Sequence, residues 1–194
     1  MYAIVIHGGA GTIDARLLDA GLQRQYEAGL QDALDQGFRV LEAGGAALDA
    51  VCSAVTALED CPLFNAGRGA VFNHEGRQEL DASLMRGDTG QAGAVCGVRN
   101  VRNPVLLARL VMERSQHVLL SAAGAEAFGR EQGIVFEDDA YFFDAFRYEQ
   151  YKTPWRRVRP NWIIRLRAIA NSVRWVRSRS IATARYALLP AQAA

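Results

Sequence analysis

The chain has 194 residues, half of them hydrophobic, with 22 basic and 21 acidic residues and a formal charge of +1, the composition of one soluble, well-cored domain. That balance averages two unlike parts: residues 1–151 hold all 21 acidic and 12 of the basic residues, a charge of −9, whereas residues 152–194 hold 10 basic residues and neither acid nor glycine. Three cysteines, Cys52, Cys61 and Cys96, without C-x-x-C spacing exclude a disulfide framework, and no apolar stretch reaches the roughly 18 residues of a spanning helix.

The N-terminal MYAIVIHGG is too short an apolar run for a signal peptide and lacks a basic start, so a cytoplasmic protein is expected. Tyr2 to Ile6 reads as a buried first strand that delivers the glycine loop His7-Gly8-Gly9-Ala10-Gly11 into the interior or onto a cleft. That loop matches neither G-x-x-x-x-G-K-[ST] nor G-x-G-x-x-G, which argues against nucleotide binding, and His7 reads as making one structural hydrogen bond. Apolar residues three and four apart from Leu18 to Leu41 predict an amphipathic helix over 14–41, stopped by Gly44-Gly45. A second helix over 46–59 carries the small residues Ala50, Ser53, Ala54 and Ala57, which allow close packing.

Between Leu58 and Arg86 the chain reads LEDCPLFNAGRGAVFNHEGRQELDASLMR. Gly67 and Gly69 are sites of close backbone approach, and Asn65 before them can donate and accept. Strands are predicted over 71–73 and 79–85 around the turn His74-Glu75-Gly76, with Leu80, Ala82 and Leu84 on one face of the second. A further strand over 92–98, a helix opened by Asn103-Pro104, a strand over 118–120 and a helix over 122–132 before Gly133 complete the run. The connections joining the strands at 71, 79 and 92 are too short for parallel crossovers, so the expected architecture is α+β, an antiparallel sheet with helices layered on its face.

Several long motifs in this order resemble the plant-type (type III) L-asparaginases and isoaspartyl peptidases, a family of N-terminal-nucleophile hydrolases. They are His7 to Gly11, Leu41-Glu42-Ala43-Gly44, Ala47 to Val51, Leu58 to Gly67, Glu79 to Met85, Ala92 to Val98, Arg102 to Arg109 and Arg147 to Gln150. The resemblance covers about three-quarters of the chain and implies the α-subunit half of a four-layer αββα sandwich over residues 1–151. It further implies hydrolysis of asparagine or isoaspartyl amides through an acyl-enzyme on an N-terminal Thr, freed by cleavage of a Gly–Thr bond and using its own amine as base. By position, Asn65 would hold that residue's amine or hydroxyl, and the loop containing His7, Gly8, Gly9 and Gly11 would position the cleavage junction. The backbone carbonyls of Leu58, Glu59, Cys61, Phe64, Ala66 and Arg68 would surround a structural sodium ion, an oxygen-only set suited to a hard cation. No catalytic cofactor is implied; the implied partners are a β-subunit-like chain in an (αβ)2 assembly and asparagine or an isoaspartyl dipeptide.

The departure from the family comes after Gln150. Its Gly–Thr–Val/Ile–Gly motif is absent: the one Gly–Thr pair is Gly11-Thr12, while Thr153 and Thr183 follow Lys152 and Ala182. A scaffold without its nucleophile is expected to be inactive alone. In the 152–194 tail, Trp162, Leu166, Ile169, Val173 and Val176 lie at helical spacing among arginines, which one reading takes as a basic anchor for a membrane surface or nucleic acid on a non-enzymatic binding protein. The other reading, preferred here, is a truncated domain followed by GC-rich DNA read out of frame. Glu79 and Asp81 read as a solvated or ion-paired strand face rather than an acid–base pair, Asp138-Asp139 as a turn or helix cap, and Cys52 and Cys96 as buried small hydrophobes. His74 and His117 have no partner spacing for a metal site.

Overall fold

The computed structural model describes residues 2–9, 19–152 and 181–183. Gly11, Thr12, Thr153 and the predicted tail helix lie outside the described residues. The first strand, β1 (Ala3–Val5), is not buried as its apolar run predicts: Ala3 and Val5 are exposed, because only Ile4 points to a helix, packing on Gly37. Helix α1 (Ala20–Glu42) starts where the Asp19 carboxylate accepts the Leu22 N–H at 2.7 Å. Helix α2 (Ala47–Asp60) follows after the predicted Gly44-Gly45 stop. The two helices meet through small residues. A Cβ added at Gly37 of α1 would lie 2.8 Å from the Ala50 carbonyl oxygen and 3.1 Å from the Ala54 methyl of α2, so their backbones approach closer than larger side chains permit.

Strand β2 (Leu80–Met85) alternates strictly, with Leu80, Ala82 and Leu84 buried and Asp81, Ser83 and Met85 exposed, as its sequence predicts. It pairs antiparallel with β3 (Ala92–Val98), and β4 (Leu119–Ser121) adds to the other edge of β3 in parallel. The sheet is therefore mixed rather than wholly antiparallel. Helix α3 (Pro104–Arg114) lies in the connection between β3 and β4, which makes that connection a crossover long enough for parallel pairing. Helices α4 (Ala122–Glu131), α5 (Asp139–Phe142) and α6 (Ala145–Lys152) follow; Asp138 caps α5 by accepting the Tyr141 N–H at 3.0 Å. Residues 181–183 form β5 (Ile181–Thr183), parallel to β1 with Thr183 opposite Val5.

The predicted strand over 71–73 does not form. Side chains take the hydrogen bonds a ladder would need: Asn65 Oδ1 accepts the Val71 N–H at 2.9 Å, and Gln78 Nε2 donates to the Ala70 and Phe142 carbonyls at 2.8 Å. The turn after it is as read, closed by Asn73 N–H to Arg77 carbonyl at 2.7 Å. Cys52 is buried as expected, but Cys96 is exposed, because it sits one residue out of phase with the buried Gly93 and Val95.

Two hydrophobic clusters result. The larger joins the inner face of the sheet to α2, α3 and α4 through Val55, Leu80, Val95, Val98, Leu107 and Val111. The smaller gathers Ala33, Leu58 and Phe64, with Ile6, Tyr26 and Leu30 against them, between β1, α1, α2 and the loop after α2. The opposite face of the sheet carries Ser83, Met85, Cys96 and Leu119 in the open, Met85 at 66% and Leu119 at 55% exposure. Among the described residues, no helix is long and apolar enough to cross a membrane.

Candidate active site

The loop after α2 is wound so tightly that only glycine fits at two positions. A Cβ at Gly69 would stand 2.1 Å from the Phe64 carbonyl oxygen and 2.4 Å from that of Pro62; at Gly67, where φ is +47°, it would stand 2.4 Å from the Glu59 carbonyl oxygen. A short 3-10 turn over Gly67–Gly69 completes the winding. Local bonds hold the rest, Ala66 N–H to Phe64 at 2.9 Å and Gly69 N–H to Ala66 at 3.0 Å.

This loop and the N-terminal glycine loop meet. His7, Gly8, Gly9, Leu58, Phe64, Asn65 and Ala66 together line a cavity of about 20 Å³, room for one water or one small group. The Phe64 ring presses on Gly8, whose added Cβ would be 3.0 Å from Cε1. His7 accepts the Gly9 N–H on Nδ1 at 3.1 Å, the local bond expected of it, and is otherwise exposed. Since a backbone N–H can only donate, its partner on Asn65 is Oδ1, which fixes the orientation of the amide of this cavity-lining residue and leaves the Nδ2 donors on its other side.

The six carbonyls of the predicted cation set belong to this one loop and the end of α2. Those of Leu58, Cys61, Phe64 and Ala66 each accept one backbone N–H within 3.5 Å, which leaves each a second lone pair. The Glu59 and Phe64 carbonyls face the volume that a side chain at Gly67 or Gly69 would fill. The Arg68 guanidinium lies 5.5 Å from the centre of the half-buried Tyr141 ring, so its backbone is what it offers the loop.

Sequence reading missed what braces this loop from behind. Glu59 is completely buried, and its Oε1 accepts the Val105 N–H at 3.0 Å, seating a carboxylate on the first turn of α3. The signal was present: Glu59 lies four residues after buried Val55 and seven after buried Cys52, on the inward face of α2. Next to it Asp60 accepts from Arg102 at 3.4 Å, Asn103 at 3.1 Å and the Tyr141 hydroxyl at 3.0 Å. Burial and the Asp60 carboxylate push the Tyr141 phenol above its ordinary range, and the Asp60 carboxylate also raises Arg102.

Residue matches with known proteins decide the family. Residues 1–166 match the family described as Asparaginase. The chain belongs to the plant-type asparaginase and isoaspartyl peptidase family. This asparaginase-family chain is 50% identical over 147 residues to an isoaspartyl peptidase of Salmonella typhimurium, covering 76% of the chain and 47% of that protein. It is 45% identical over 163 residues to a plant-type L-asparaginase of Thermococcus kodakarensis, 84% of the chain and 49% of the relative. An isoaspartyl peptidase/L-asparaginase of Xenopus laevis is 50% identical over 131 residues, 68% and 41% respectively. The asparaginase-family chain thus spans about half the length of the curated relatives it matches.

A larger cavity of about 640 Å³ lies among α1, α2 and α3, and of the predicted site residues only Cys61 reaches it. Its Arg109 is already paired with Asp49 at 2.7 Å and Glu113 at 2.8 Å, and burial raises its Cys52 thiol. Of the residues that the asparaginase resemblance selects, His7, Gly8, Gly9, Leu58, Phe64, Asn65 and Ala66 line the small cavity; Glu59 and Arg68 line neither. Among the described residues no cluster of His, Cys, Asp and Glu could hold a metal ion. Asp81 accepts the Gly97 N–H at 2.7 Å across the irregularity between β2 and β3.

Proposed function

We propose that this chain is the α-subunit-like half of a hydrolase of asparagine or isoaspartyl amides, supplying scaffold and positioning groups but not the attacking hydroxyl. The observation that carries the reading is the small cavity where the His7–Gly9 loop meets Asn65. With Oδ1 held by Val71, Asn65 donates through Nδ2, which suits a hydroxyl oxygen or a neutral amine better than an ammonium. In the reaction an N-terminal Thr oxygen attacks the amide carbon, its amine takes the proton, ammonia or an amine leaves, and water releases the acyl group. No Gly–Thr–Val–Gly string occurs in these 194 residues, so that Thr is assigned to a second polypeptide segment. The open sheet face with Met85 and Leu119 is the surface that such a segment would cover to complete an αββα sandwich. The loop carbonyls of Leu58, Glu59, Cys61, Phe64, Ala66 and Arg68 would hold a sodium ion that stiffens the loop and supplies no chemistry.

The test mixes the purified chain with the part of the Salmonella relative that this chain does not match, and follows ammonia and aspartate release from asparagine and a β-aspartyl dipeptide. Hydrolysis should require both components. Turnover by the chain alone, or no turnover from a complex shown to form, refutes the proposal.

A further inference from the structure

Helix α6 buries none of its residues, yet it reaches the candidate site through one side chain. Arg147 donates from Nε to the Gly69 carbonyl at 2.9 Å and from Nη2 to the Leu63 carbonyl at 3.1 Å, while Nη1 meets Gln150 Oε1 at 3.2 Å. Its backbone N–H is held by Asp144 Oδ1 at 2.9 Å, so the guanidinium projects from a capped first turn. Leu63 and Gly69 lie on either side of Asn65. The loop's own backbone–backbone hydrogen bonds step along it by two or three residues, whereas the planar fork of Arg147 bridges its two limbs directly. The far limb continues through Ala70 to Val71, whose N–H binds Asn65 Oδ1. Parting the limbs therefore withdraws Val71 from Asn65 and frees the amide to rotate.

We propose that Arg147 is a positioning residue for Asn65: by tying the Leu63 and Gly69 carbonyls together it holds Val71 against Asn65 Oδ1, sets the orientation of that amide, and so couples α6 to the site. This rests on the proposed role of Asn65 for its bearing on catalysis, but the geometric part is testable without activity. The first arm uses the full chain and measures amide hydrogen exchange at Val71, with Gly97, bound to Asp81 on β3, as reference. In Arg147→Ala the Val71 amide should exchange at least about tenfold faster while Gly97 stays within about twofold, and Arg147→Lys should recover part of the protection. Unchanged exchange at Val71, or an equal loss at both amides, overturns the proposal. The second arm uses the reconstituted two-part enzyme, where Arg147→Ala should lower kcat by about tenfold or more with KM within about twofold; a change confined to KM overturns the positioning role. A wild-type mixture without turnover counts against the proposed function alone, and the exchange arm still decides the role of Arg147.

Discussion

Replacing Glu59 by alanine is the sharpest test of how the loop is braced. The side chain is fully buried, and its Oε1 accepts the Val105 N–H at 3.0 Å in the first turn of α3. A hydrogen bond to a charged group is worth about 1.5–3 kcal/mol, and each buried methylene adds about 0.8 kcal/mol. Removing the carboxylate also removes the cost of desolvating it, which offsets part of that and leaves an expected loss of roughly 1.5–3 kcal/mol. For a chain of this size that lowers Tm by roughly 3–12 °C. Glu59→Gln keeps an acceptor opposite Val105 and forfeits mainly the charge at the helix N-terminus, so its loss should be smaller, about 1–2 kcal/mol. Thermal unfolding followed by circular dichroism at neutral pH reads both. An alanine variant melting within about 2 °C of the parent, or a glutamine variant less stable than the alanine one, would refute the reasoning.

Two further outcomes follow from the same geometry. Gly69→Ala should lower Tm well beyond Gly44→Ala. The first forces a Cβ to 2.1 Å from a carbonyl oxygen, whereas Gly44, at φ +80°, has open space around it and costs only the left-handed backbone, about 1–2 kcal/mol; equal melting temperatures would contradict the packing described. Tyr141 has a folded-state pKa above its unfolded value, so its contribution is complete below about pH 10 and is lost as pH rises through the folded value. Stability measured in urea from pH 8 to 11 should fall more steeply for the parent than for Tyr141→Phe, and parallel curves would remove Tyr141 from the account.

Much of the scaffold was readable in the chain because its signals are local. The alternation at Leu80, Ala82 and Leu84 and the proline of Asn103-Pro104 marked elements that formed. What failed was non-local. Residues 71–73 have strand-like composition, but the Asn65 and Gln78 amides claim the neighbouring backbone, and nothing in the residues at 71–73 records that competition. The parallel pairing of β4 could have been inferred, since a strand, a helix and a strand with a long connection form a crossover. Composition and spacing alone could not bring His7 and Asn65 to the lining of one cavity, since they stand 58 positions apart in the chain. Arg147 was read as the last recognisable motif with no task assigned, because an arginine bridging two carbonyls leaves no pattern in sequence.

The two hydrophobic clusters are unequal, and the candidate site rests on the lesser. Among the described residues Ala33, Leu58 and Phe64 form its buried centre, whereas the sheet layer rests on Val95, Val98, Val101, Leu107 and Val111 and others besides. Opening free energies follow the apolar contacts that an opening breaks. Breathing should therefore begin around Phe64 and the glycine loop, so that the region can rearrange to admit an incoming strand while the sheet beneath stays intact.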